Sequence, residues 1–219
     1  MVVHVAEGGM YKKLEEKDVN AILEAGIEVF SRNGFDRAGM SEVAKAAGVS
    51  VGVIYKYFED KNTFFLACVR YALRELDAAL ARAAETESAG DVRSAMRSLI
   101  GAVIDHSRRH PSHNALYNEI TSGGCRAYAP QLAREIEGRS AAVYAAMMER
   151  ALAAGEPKGT PDARLFAFFF DSLLMTLQFS YSCDYYRERM KIYCGGESPD
   201  DDRRMTEEFL RFMCGALGV

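Results

Sequence analysis

The sequence predicts an all-α fold, and three observations carry that expectation. Apolar residues recur at helical spacing from about Glu15 onward: Ile22, Ala25, Val29 and Phe30 share one face, with Glu24, Glu28 and Arg32 opposite. Glycines and prolines interrupt the pattern where helices would end, and strand-like alternation persists nowhere. With 219 residues, 49% of them hydrophobic, the chain can bury the core of one large domain or two small ones.

Taken in order, residues 1–10 hold two glycines and little charge, so a frayed terminus is expected. The first helix should end at Asn33-Gly34, both tolerant of the left-handed conformation that helix ends use, and Phe35 should pack back beneath it. Met40, Val43, Ala44 and Ala47 form the apolar face of a short second helix, which Gly48 closes. Ser50 can cap a third helix, in which Ile54 and Phe58 face inward and Val51, Gly52, Tyr55 and Lys56 outward. Asp60 places an acid at the start of a fourth helix, whose apolar residues run from Phe64, Phe65 and Cys68 through Leu73 to Leu80. Further helices are expected at about 91–109, 112–122, 128–154, 161–193 and 200–217, broken at Pro111, Gly123-Gly124, Pro157 to Pro161 and Gly195 to Pro199.

Composition narrows the classes of function. No segment has the form of a secretory leader, and the longest apolar run, Leu165 to Phe170, stops at Asp171. A cytoplasmic chain with no membrane partner is therefore expected. Cysteines at 68, 125, 183, 194 and 214 have no Cys-x-x-Cys spacing, which points to reduced thiols and to neither a disulfide framework nor a zinc site. A redox role for Cys183 and Cys194 stays open. His106 and His110 share a helical face near His113, but no carboxylate or cysteine completes a ligand set, so no metal and no cofactor is expected. The net charge of −4 does not favour nucleic acid by itself. Between Arg32 and Lys61, however, five basic residues face four acidic ones, so DNA binding would depend on a few placed cations.

Residues 41–61, in which a short helix stops at a glycine and a serine opens another, read as a helix-turn-helix. Ile22 to Gly34 with Phe35, then Val43-Ala44-Lys45-Ala46-Ala47-Gly48-Val49-Ser50, Gly52, Ile54-Tyr55, Tyr57-Phe58 and Lys61, together strongly resemble the TetR family of bacterial repressors. The Tyr-x-Tyr-Phe-x-x-Lys continuation is the more specific part of that match.

The resemblance implies an N-terminal three-helix helix-turn-helix DNA-binding domain at 11–65 and a C-terminal helical ligand-binding and dimerisation domain at 66–219. In the first, Tyr55 and Tyr57 would donate to phosphate, Lys61 would pair with one, and Ser50 would cap or touch the backbone. Val51, Gly52, Val53 and Lys56 would lie at base edges. Where relatives carry a Thr or Ser pair this chain has Ala38-Gly39, so that hydroxyl contact would move to Ser41. Val51 can pack on a thymine methyl but cannot hydrogen-bond to a base, which shifts weight to DNA shape.

In the second domain the resemblance implies dimerisation through the last two long helices. The candidates are Phe169, Leu173 and Leu177 on the helix at 161–193, and Phe209, Phe212 and Met213 on that at 200–217. Met96, Tyr117, Tyr144, Met147, Phe168 and Gln178 supply the soft apolar walls and few polar groups of an effector pocket, although such residues are also ordinary core. The segment Tyr181 to Tyr193 reads as a dimer rim or a domain-packing element. The function expected is a homodimeric, ligand-responsive regulator, a repressor on a palindromic double-stranded DNA operator, released by a small molecule. Against it stand a DNA-binding protein that no small ligand gates, and an α-helical enzyme carrying a helix-turn-helix.

Overall fold

The computed structural model describes residues 3–7, 10–86, 91–121, 128–155, 157 and 162–219. Helices α1 (Glu16–Arg37), α2 (Met40–Ala47), α3 (Val51–Phe58), α4 (Lys61–Thr86) and α5 (Val92–Arg109) come first. They are followed by α6 (Pro111–Glu119), α7 (Ala129–Ala153), α8 (Ala163–Ser182), α9 (Asp184–Cys194) and α10 (Asp202–Leu217). Ahead of them, β1 (Val3–Glu7) and β2 (Met10–Leu14) form an antiparallel hairpin with Val3 opposite Leu14 and Glu7 opposite Met10. The terminus expected to fray is thus paired, through main-chain bonds that five-residue strands make without a sustained side-chain pattern. Cys125, the Gly123-Gly124 break and all of the 157–161 break except Pro157 lie outside the described residues.

The chain divides into two compact units, Met1–Arg74 with Ala115–Arg126 and Glu75–Asn114 with Ala127–Val219. This differs from a boundary at 65/66. The first part of α4 supplies Phe64, Phe65, Cys68 and Val69 to the first core, so the division falls inside that helix.

In the first unit, Phe30 is fully buried among the rings of Phe35, Phe64 and Phe65. Gly34 breaks α1 with φ 71° and ψ 166°, a conformation open in practice to glycine alone. In the second unit, α8 packs against α5, α7 and α9, and α10 against α5. Leu99, Ile100, Met148, Phe170, Leu174 and Leu210 form the centre of that core. Aspartates start the helices: Asp91 accepts from the Ser94 N–H at 2.7 Å, and Asp162 from Arg164 and Leu165 at 2.8 and 3.0 Å. No helix among the described residues is long and apolar enough to cross a membrane.

The helix expected over 161–193 is two helices. Cys183 is extended, with φ −117° and ψ 127°; its N–H closes α8 on Phe179 O at 2.8 Å and its carbonyl opens α9 by accepting from Arg187 N at 2.9 Å. The Arg187 guanidinium also donates to Tyr181 O at 2.6 Å, satisfying a carbonyl that the end of α8 leaves open.

At the end of α5, His106 is buried, with ring centroids 4.8 Å from His110 and 6.0 Å from His113. Burial, then the neighbouring His110 and His113, push its pKa down to about 3. The native state therefore keeps His106 neutral at a pH where the unfolded chain protonates it. Its contribution is intact above about pH 6.5 and is lost as the pH falls towards about 3. Urea midpoints are expected to drop between about pH 7 and about pH 5, and His106→Gln should flatten that slope. An unchanged slope in the variant would assign the pH dependence to other groups. The His106 and His110 rings are stacked and His113 is tilted against both, and among the described residues no group of three His, Cys, Asp or Glu side chains could hold a metal ion.

Candidate functional site

The reading element is assembled by local chemistry. Gly48 ends α2 at φ 68° and ψ 27°, a left-handed turn that a side chain would strain. Val49 N then donates to Ala44 O at 3.0 Å, so α3 begins after a turn of only three residues, 48–50. Ser50 caps α3 by accepting from Val53 N at 3.4 Å. Val43, Ala44, Ile54 and Phe58 are buried and fix the two helices on the first core. Asn33 donates to Glu42 at 2.8 Å, tying α1 to α2, and Asp60 caps α4 by accepting from Thr63 N at 2.7 Å.

This packing leaves one face of α3 open. Ser41, Ser50, Gly52, Tyr55 and Lys56 are exposed, while Val51 and Val53 are half-buried. Lys61 is half-buried too: its ammonium donates to Asp36 O at 3.2 Å and lies 4.9 Å from the centre of the Phe35 ring, which joins the end of α1 to the start of α4.

Tyr57 corrects the sequence reading. Its hydroxyl is buried next to the Leu14 main chain, and burial raises its pKa, so it does not stand ready to donate to a phosphate. Helical spacing alone does not make the split, because positions 55 and 57 flank the inward direction of Ile54 and Phe58 equally; the flank at 57 is the one that Leu14 covers, while 55 and 56 stay exposed.

The residues expected to line an effector pocket are dispersed. Met96, Tyr144 and Met147 are buried in the close-packed core of the second unit. Gln178 is buried as well, with its amide donating to Asn114. Tyr117 lies on the part of α6 that belongs to the first unit. Phe168 alone of the six lines the groove between α7 and α8, a space of about 730 Å³. Composition could not separate core from lining here, because apolar and aromatic residues serve both. Glu137 and Asp171, which sequence reasoning missed, also line the groove. Burial and then the charge of Glu137 raise the Asp171 pKa to about 6.

The interface candidates divide by face. Phe169, Leu173 and Phe212 are exposed, together with Leu165, which the sequence reading left out. Leu177 and Met213 are buried in their own subunit's core, and Phe209 is half-buried with its ring 6.0 Å from that of Phe170. These three are spent on internal packing, since the inward faces of α8 and α10 already meet the rest of the unit.

Comparison with known proteins agrees with this architecture. The family model for bacterial regulatory proteins of the tetR family matches residues 22–68, which span most of α1, the turn and the start of α4. The regulator BetI of Yersinia pestis (strain Pestoides F) is 30% identical over 113 residues, 52% of this chain and 56% of that protein. The chain thus spans little more than half the length of this relative. Among solved structures, a tetR-family regulatory protein from Rhodococcus RHA1 superposes with a TM-score of 0.68 at 18% identity, covering 91% of this chain and 98% of that one. The regulator FadR of Bacillus subtilis, solved with stearoyl-CoA, gives 0.65 at 19% identity over 89% and 97%. The helix-turn-helix thus lies on the residues that the tetR family model matches, and the fold is shared along nearly the whole chain with a solved tetR-family regulatory protein.

Proposed function

We propose that this chain is a transcriptional regulator that binds double-stranded DNA as a homodimer on a palindromic operator and, acting as a repressor, is released by a small-molecule effector. The observation that carries the reading is the α2-turn-α3 element, whose one open face presents Tyr55 and Lys56 beside small residues. A single helix of eight residues reads few bases, whereas two joined copies about 34–36 Å apart read two half-sites. Tyr55 and Ser50 serve as phosphate contacts, Ser41 as a further hydroxyl and Lys61 as a nearby positive charge. Val51, Gly52, Val53 and Lys56 face the base edges. Release follows from differential affinity: an effector that binds better to the conformation unsuited to the operator shifts the population towards it. FadR of Bacillus subtilis was solved with an acyl-CoA, which supports a small ligand in this fold.

The test is binding of purified protein to DNA from upstream of its own gene, read by fluorescence anisotropy across a salt series. Tyr55→Phe is expected to weaken binding, and Lys56→Ala to weaken it and lower the salt slope by about 1. If both variants match the parent in affinity and slope, α3 is not the reading helix. A DNA-binding protein without an effector is favoured by the close packing of Met96, Tyr144 and Met147. Operator affinity that no small molecule alters would establish that second reading.

A further inference from the structure

The groove between α7 and α8 has a composition that selects its ligand. Its α7 side carries Ala141 and Ala145, short side chains that leave the space open. Phe168, 63% exposed, and Met175 add apolar and polarisable surface from α8. Three carboxylates, Glu137, Glu149 and Asp171, border the same space against one guanidinium, Arg164. Among the described residues no ion pair or hydrogen bond reaches the Asp171 carboxylate, although it is half-buried beside Glu137. At about 730 Å³ the groove lies in the range of small-molecule sites.

We propose that this groove binds a lipophilic monocation, such as an alkylammonium, with its charge against Asp171 and Glu137 and its apolar part on Phe168 and Met175. The inference rests on the effector reading above and names the chemical class of that effector. A cation entering here relieves the repulsion between two neighbouring carboxylates and gives a part-buried charge its counter-ion. The exposed Phe168 ring offers its negative face to the same charge. An anionic amphiphile would instead bring a third negative charge beside Asp171 and Glu137, with Arg164 as the one cation to meet it.

The experiment titrates the full-length protein, without DNA, with decyltrimethylammonium below its micelle concentration, and with decanoate as the matched anion. The cation is expected to bind and the anion not to. Asp171→Asn and Glu137→Gln should each weaken the cation about tenfold, and Phe168→Ala should weaken it as well. Thermal melts check folding, and Asp171→Asn is expected to melt no lower than the parent because it removes a destabilised carboxylate. Equal binding of decanoate, or parent-like affinity in both carboxamide variants, overturns the proposal. So does binding of the cation only to a monomeric Phe169→Asp/Phe212→Asp variant, which would mean that a second copy of the chain fills the groove. Cation binding with the expected dependence but no effect on operator affinity would sustain the groove and count against the effector reading. Release from DNA by another ligand, with no cation bound, would do the reverse.

Discussion

Phe30→Ala is expected to lower the stability of the unit that carries the helix-turn-helix by about 3–5 kcal/mol, and to abolish DNA binding with it. Phe30 is fully buried, with its ring centre 6.2 Å from Phe35, 5.9 Å from Phe64 and 5.0 Å from Phe65. The cost of such a deletion depends on whether the surroundings can close over the space. Here they cannot readily do so, because α1 and α4 already touch at Gly26. A Cβ built there would stand 2.5 Å from Phe64 Cζ and 2.6 Å from Cys68 Sγ. The cavity therefore persists, which places the effect at the upper end of the range. For a domain whose whole stability is about 5–15 kcal/mol, that leaves a large unfolded fraction. Urea denaturation of the parent, Phe30→Ala and Phe30→Leu measures it, with the leucine variant expected to lose less than about 1.5 kcal/mol. An alanine variant within about 1 kcal/mol of the parent would show that the helices close after all. Gly26→Ala tests the same contact from the other side, with an overpacking cost of about 1–3 kcal/mol.

Signals confined to a few neighbouring residues were legible in the sequence. Gly34, Gly48 and Ser50 act on their own turns, and the breaks and caps they impose are where the residue types place them. Features that depend on what a face meets were not. The Cys183 break carries no glycine or proline, and the Arg187 contact that closes it depends on a fold-back that spacing does not reveal. Helical period groups Phe169 with Leu173, and Phe166 with Phe170, but it does not say which group the subunit's own core will cover. That is why Leu177 and Met213, interface candidates by spacing, are internal, while Leu165, outside that candidate set, is exposed. The same limit applies to Tyr57, whose hydroxyl is buried beside Leu14, more than forty positions earlier in the chain. The groove was hidden for a different reason: alanines on α7 mark it by what they leave empty, and empty space has no residue type.

The double substitution Phe169→Asp with Phe212→Asp is expected to leave each subunit folded and to separate the dimer. Both side chains are exposed, at 58% and 64%, so the charges enter water and stability should move by less than about 0.5 kcal/mol. At a two-fold contact, however, each substitution is met twice, which buries several carboxylates without cations to pair them. Leu177 and Met213, being internal, cannot offer substitute apolar contacts. Operator affinity should then fall by about 100-fold or more, because the second half-site would no longer be bound at high effective concentration. Binding to an isolated half-site should be unchanged, since α3 and its caps are untouched. Sedimentation velocity and anisotropy on full and half operators measure the two effects independently. A variant that still sediments as a dimer would remove Phe169 and Phe212 from the interface. A monomer that keeps full operator affinity would show that one copy suffices, and with it the case for a palindrome would fail.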